Sequence, residues 1–187
     1  MRSSQLVDES TGGWSLPTAD ARGPTGVGLA VGLLWGVAVQ LVAQGSSRLA
    51  SSTLFASGGG GRVTTAVGAF AAASLAFAFG ELVRRGVART RRAVVVLGVA
   101  LTAAGLVSLP GTARDIGDGR WWSAVPTAIL VTIAPLMTFW MASARSRDWF
   151  GSVTSDVARR RHGGVWIATL AVVAVVSGLL VAYAEAR

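Results

Sequence analysis

The sequence contains no cysteine, no lysine and a single histidine, His162. Without cysteine the chain cannot form a disulfide or a thiolate metal site, and one histidine cannot supply both axial ligands of a bis-histidine haem. Charged residues are also scarce, at 14% of the 187 residues, against roughly 25% in a typical soluble domain. Together with a hydrophobic content of 52%, these scarcities exclude a disulfide-stabilised domain, a disordered chain and an ordinary soluble enzyme.

The charge that is present is strongly biased, since all 17 basic residues are arginine and the formal net charge is +8. In a soluble domain such a charge suggests a nucleic-acid ligand. Here the arginines lie in short segments between long apolar stretches, which is typical of cytoplasmic loops in membrane proteins. We therefore expect membrane lipids as partners and no nucleic acid. The general form is that of a small bacterial polytopic membrane protein, which is a likeness of architecture and not of family.

Five nearly uncharged stretches are long enough to cross a membrane. A hydrocarbon core of about 30 Å needs roughly 20 residues of helix. Backbone polar groups in lipid must be satisfied within the segment, which requires helices, and the strand alternation of a barrel is absent. The sequence predicts an all-α, polytopic membrane helical bundle of about five transmembrane helices, near residues 24–44, 63–83, 93–110, 122–142 and 164–184.

The remaining segments are predicted to be tails and connections. Polar residues 1–23 predict a flexible cytoplasmic N-terminal tail before a five-helix transmembrane domain over residues 24–187. No basic segment leads at once into a short apolar run, so the first span is expected to be an uncleaved anchor. Four consecutive glycines within residues 56–62 indicate a flexible linker, and turn-forming residues within 110–122 indicate an interfacial loop.

The distribution of arginine predicts the orientation of the chain. The connections over residues 84–92 and 145–161 hold five arginines each, and the other two connections hold two each. Because arginine-rich loops stay in the cytoplasm, we expect a multi-pass protein of the bacterial plasma membrane with its N-terminus cytoplasmic and its C-terminus outside. The candidate contacts of anionic lipid headgroups are Arg84, Arg85, Arg159, Arg160 and Arg161.

The longest cytoplasmic connection, residues 143–164, also contains aromatic and apolar residues. Trp149, Phe150 and Val157 predict an amphipathic surface helix. His162 follows three arginines and is expected to be an interfacial residue and not a catalyst.

Three spans carry small residues four positions apart. Such rows let two helix backbones approach closely, which favours association in lipid. We interpret them as helix-packing residues, either within the chain or at an interface with another subunit. The rows are Gly28, Gly32 and Gly36; Gly68, Ala72, Ala76 and Gly80; and Ala174, Gly178 and Ala182.

A few residues within the spans are candidates for a polar path. The amides of Gln40 and Gln44 need partners in lipid, so they are expected to face another helix or an outward-facing cavity. Glu81 either pairs with Arg85, four positions on, or takes part in proton or cation transfer. Pro135 is expected to kink the fourth span, where it shapes packing or marks a hinge.

Two further features remain open between a structural and a functional interpretation. Trp35 lies near the middle of the first span, where it is expected to pack in the core or to contact a cofactor or substrate. Asp115 and Asp118 are too few to bind a cation alone, and Arg114 and Arg120 lie close enough to neutralise them. No cofactor can be named from the sequence.

No residue set typical of catalysis or metal binding is present, so we assign no catalytic residue and no metal site. The leading hypothesis is a non-catalytic integral subunit or accessory protein of a larger membrane complex. One alternative is a small homo-oligomeric transporter or channel that uses Gln40, Gln44, Glu81 and Pro135. A third is an interfacial lipid-acting enzyme that uses Asp148 or Asp156 and the arginines of residues 159–161.

Overall fold

The computed structural model describes residues 24–50, 59–162 and 164–186. The predicted tail, residues 1–23, lies outside the described residues. Within the described parts the regular structure is helical and contains no strand. The elements are α1 (Thr25–Ala50), α2 (Gly59–Arg84), α3 (Ala88–Gly117), a 3-10 turn (Trp121–Ser123), α4 (Ala124–Ala142), α5 (Ala144–Ser152), α6 (Ser155–Arg161) and α7 (Val165–Ala186).

Five of these helices are long and apolar enough to cross a membrane: α1, α2, α3, α4 with its preceding turn, and α7. This confirms the predicted all-α bundle of five candidate spans. The sequence was sufficient to predict these helices, because a stretch of 18 or more apolar residues without strand alternation can cross lipid only as an α-helix. The fold is that of a multi-pass membrane protein.

Helix α1 is the centre of the bundle and packs against α2, α7 and α4, while α3 packs mainly against α4. The contact with α2 is antiparallel, since Trp35 lies beside Gly80 and Gly45 lies beside Phe70. Val27, Val31 and Leu34 of α1 are buried in this core. Burying apolar side chains of this size against other helices replaces lipid contacts by denser packing, which is the main attraction between helices in a bilayer.

The boundaries of two helices differ from the sequence prediction. Helix α3 continues through Pro110 to Gly117, so most of the predicted loop over residues 110–122 is helical. Proline removes one backbone hydrogen bond but is tolerated in membrane helices, and Pro110 is exposed. The turn that follows α3 is short and contains Gly119 at φ +80°. Helix α2 begins at Gly59, so three of the four linker glycines are helical.

The connection between α4 and α7 is built from two short helices instead of one amphipathic helix. Val153 ends α5 with an extended backbone, and Thr154 precedes α6 in the same conformation. The break turns the chain so that Trp149 and Phe150 of α5 are buried in the core. Val157 of α6 is half-buried. This connection therefore packs onto the end of the bundle.

Candidate functional site at the arginine-rich end of the bundle

The two arginine-rich connections meet at the same end of the bundle. Arg91, in the first turn of α3, donates hydrogen bonds to the carbonyl oxygens of Met141 (2.9 Å) and Ala142 (3.1 Å) at the end of α4. The last carbonyls of a helix carry partial negative charge and lack partners within the helix, so a guanidinium satisfies both needs. Arg91 therefore joins the start of α3 to the end of α4.

A buried ion pair lies at the end of α2. Arg84 is 6% exposed, and its Nε and Nη2 donate to the two carboxylate oxygens of Glu81, each at 2.6 Å. Arg85 also donates to Glu81, at 2.9 Å. A bidentate pair of this kind is stronger and more directional than a single contact. Glu81 therefore pairs with Arg84 as well as with the predicted partner Arg85.

His162 is buried, at 4% exposed. An interfacial position had been predicted for this residue from the sequence. Its carbonyl oxygen accepts a hydrogen bond from Arg84 Nη1 at 2.8 Å, and its Nδ1 donates to the carbonyl oxygen of Arg84 at 3.1 Å. Its ring stacks on Trp166 with centroids 4.3 Å apart, and Trp149 lies at 5.5 Å. The extended residues between α5 and α6 turn the chain so that His162 lies against the end of α2. A local sequence pattern does not reveal this turn.

The turn from α2 to α3 fits closely against α5. Gly86 has φ +71°, and a Cβ there would lie 2.5 Å from Val153 Cγ1 and 3.3 Å from the Trp149 ring. Glycine is therefore required by the backbone conformation and also by the contact. The contacts of this turn and the hydrogen bonds between Arg84 and His162 therefore pack the two arginine-rich connections against each other.

The predicted headgroup arginines occupy different environments. The burial of Arg84 corrects the prediction that it contacts lipid headgroups, because its donors are bonded to Glu81 and His162. Arg85 is exposed but pairs with Glu81, and Arg160 is exposed. The side chains of Arg159 and Arg161 lie outside the described part of the structure.

The small residues of α1 and α7 lie against each other. A Cβ at Gly178 would lie 2.5 Å from the carbonyl oxygen of Gly36, and a Cβ at Gly36 would lie 2.9 Å from Ser177 Oγ. Ala182, one turn beyond Gly178, is half-buried. The two backbones thus approach closely and run parallel. The small residues along this contact are Gly28, Gly32, Gly36, Ala174 and Gly178.

The predicted row on α2 does not form one face. Gly80 contacts Trp35, but Gly68 has nothing within 4 Å of an added Cβ and Ala72 is exposed. Residues four apart advance about 40° beyond a full turn, so a row over twelve residues rotates by about 120°. Ala76 lies between these two environments and is half-buried. The residues that pack on α1 recur every seven positions, which keeps them on one face: Ala66, Ala73 and Gly80.

A second pair of glycines, absent from the predicted rows, packs α3 on α4. A Cβ at Gly98 would overlap Thr138 Oγ1, and one at Gly105 would lie 2.7 Å from Leu130 Cβ. The hydroxyls of Thr112 and Thr127 are hydrogen-bonded at 2.7 Å further along this contact. A search for spacing seven as well as four would have found Gly98 and Gly105.

The candidates for a polar path lie at different levels and on three helices. Gln40 and Gln44 are half-buried on α1, beyond the level at which Trp35 meets Gly80. Five residues of helix separate Trp35 from Gln40, which corresponds to about 7.5 Å. Glu81 is bonded to two arginines at the opposite end of α2. Pro135 is half-buried within α4.

Trp35 lies in the packed core. It is buried, stacks on Phe77 with centroids 5.4 Å apart, and its indole contacts Gly80. Both of these contacts, Phe77 and Gly80, belong to α2. These contacts agree with the packing interpretation of Trp35.

The short connection between α3 and α4 carries an ion pair beside an aromatic pair. Arg120 donates to Asp115 at 2.5 Å and lies 3.4 Å from Asp118, so its single charge offsets one of the two carboxylate charges. Trp121 stacks on Trp122 with centroids 3.9 Å apart. Amphipathic rings of this kind anchor a helix end at the membrane–water interface.

Comparison with protein-family models, with curated proteins and with solved structures found no match to this chain.

Proposed function

We propose that this chain is a non-catalytic integral subunit or accessory protein of a larger membrane complex. Its proposed location is the bacterial plasma membrane, with the N-terminus in the cytoplasm and the C-terminus outside, because this orientation leaves both arginine-rich connections in the cytoplasm. The proposal accounts for a helix face that no other described part of the chain covers. That face belongs to α2.

The observation that carries the proposal is the environment of Gly68 and Ala72. They lie one turn apart and are both exposed, and an added Cβ at Gly68 meets no atom within 4 Å. Leu75 on the same side of the helix is 72% exposed. Small residues beside a large apolar one form a groove and a ridge, which are the elements of close helix packing in lipid. We therefore propose that a transmembrane helix of another subunit packs here.

The geometry gives less support to the transporter alternative. Both carboxylate oxygens of Glu81 are bonded to arginines, and Gln40 lies further along α1 than the level of this ion pair. A conducting path built from these residues would first have to separate Glu81 from Arg84.

Photo-crosslinking in native membranes tests the proposal. A photo-reactive amino acid at Leu75 should give a protein adduct of defined mass, because this position borders the proposed interface. The matched control is Val107, which is 81% exposed on α3 and should give no such adduct. Recovery of an uncrosslinked monomer at both positions would contradict the proposal, and an adduct of twice the chain mass would favour the homo-oligomer.

A substitution tests the same face independently. Gly68→Leu should reduce the amount of a stoichiometric partner that copurifies in mild detergent, because the larger side chain fills the groove. Gly111→Leu is the control, since Gly111 also has nothing within 4 Å of an added Cβ. Equal recovery of partner from both variants would place the interface elsewhere.

A further inference from the structure

We infer that the face of α3 opposite α4 binds an anionic phospholipid. The lipid phosphate contacts Arg89 and Arg92, and the acyl chains lie along the apolar residues that follow them on the same face of the helix. This site is independent of the proposed subunit interface, because it uses a different helix. The partner is a diacyl lipid with a single net negative charge, of the phosphatidylglycerol class.

Arg89 and Arg92 differ from their neighbours in having no partner among the described residues. Arg84, Arg85 and Arg91 all bond to protein groups. Arg89 and Arg92 are exposed, and within the described parts of the chain neither makes a hydrogen bond or an ion pair. Two guanidinium groups three positions apart on a helix lie on one face and within reach of one phosphate. Their donors are therefore unused within the described parts of the chain and available to a phosphate.

The same face continues into the membrane as an apolar stripe. At about 100° per residue, positions 89, 92, 96, 99, 103 and 107 fall within a sector of about 80°. Val96 and Val99 are among the most exposed side chains of α3, and the opposite face packs on α4 through Gly98. From Arg89 to Val99 the helix rises about 15 Å, which is the depth of one leaflet, and positions 103 and 107 lie beyond it. The part of the stripe from Arg89 to Val99 therefore follows an acyl chain from the headgroup to the bilayer centre.

The local charge favours an anion over a zwitterion. The first turn of α3 contains no acidic residue, and its N-cap, Val87, provides no side-chain hydrogen bond to the free backbone amides. The positive end of the helix dipole therefore adds to the two guanidinium charges. A phosphatidylcholine headgroup carries its own cation and cancels this attraction, and an acidic soluble segment would leave the apolar stripe uncovered.

Native mass spectrometry of the purified full chain tests the site, with phosphatidylglycerol or phosphatidylcholine of identical acyl chains as the added lipid. Phosphatidylglycerol should bind with the higher affinity. The double variant Arg89→Gln with Arg92→Gln should lower that affinity about 25-fold, since each arginine near a charged lipid contributes about fivefold. Binding of phosphatidylcholine should not change.

Two controls separate a specific site from loss of charge or of fold. Arg114→Gln removes an arginine at the other end of α3, beside Asp115, and should leave both affinities unchanged. Arg89→Lys with Arg92→Lys keeps the charge and should retain most of the binding. Equal affinity for the two lipids, or an unchanged affinity in the double glutamine variant, would overturn the inference. Displacement of the lipid by excess inorganic phosphate would contradict the acyl-chain contact.

Discussion

Arg84 and His162 are joined by two reciprocal hydrogen bonds, although 78 positions separate them in the sequence. The Arg84 guanidinium donates to the His162 carbonyl oxygen, and the His162 ring donates to the Arg84 carbonyl oxygen. Because Arg84 ends α2 and His162 follows α6, this pair connects the two arginine-rich segments. It brings several positive charges to one end of the bundle while Glu81 neutralises the buried one.

His162→Ala should destabilise the bundle by about 2 kcal/mol, from roughly 1 kcal/mol for the lost hydrogen bond and a similar amount for the lost ring stacking. The measurement is unfolding in SDS followed by tryptophan fluorescence. His162→Phe keeps the stacking on Trp166 and should lose about half as much. Arg160→Ala, an exposed neighbour, should stay within about 0.5 kcal/mol of the wild type. A loss as large in Arg160→Ala as in His162→Ala would contradict this role.

Glu81→Gln should destabilise the chain by about 3 kcal/mol, because it leaves the buried Arg84 cation without its counter-ion. Arg85→Gln removes a partner whose side chain is 47% exposed, so it should cost less than about 1 kcal/mol. Both values follow from the same SDS titration. Equal losses in the two variants would show that Arg84 does not depend on Glu81.

Gly98→Ala should destabilise the α3–α4 contact by about 1–3 kcal/mol, since the new Cβ would overlap Thr138 Oγ1. Gly111→Ala on the same helix meets no neighbour and should be neutral or stabilising by up to about 1 kcal/mol, from helix propensity. Combining Gly98→Ala with Thr138→Ala should recover most of the loss. Opposite signs for the two glycine variants distinguish packing from propensity, and equal signs would contradict the contact.

The number and class of helices could be predicted from the sequence because they depend on local properties, namely apolar length and charge. The end of α3 could not be predicted in the same way. Pro110 is a strong helix breaker in water, but within α3 it is exposed and costs one hydrogen bond. The loop prediction over residues 110–122 failed because it applied turn chemistry from soluble proteins.

The candidate site was less predictable because its contacts join distant parts of the chain. A spacing of four identified Gly36 and Gly178, which do lie together, but it also grouped Gly68 with Gly80, which face different sides of α2. The types and spacing of residues do not by themselves give the rotation of a helix about its axis. The burial of His162 likewise depends on the break between α5 and α6, which positions it over α2.

The central claim, five crossings with the arginine-rich end in the cytoplasm, is tested most directly by cysteine labelling in intact cells. The chain has no native cysteine, so Ala88→Cys, Gly117→Cys and Thr154→Cys each provide a single reactive site at an exposed position. A membrane-impermeant maleimide should label position 117 in intact cells, and positions 88 and 154 after the membrane is opened. Labelling of position 88 or 154 in intact cells would contradict the account.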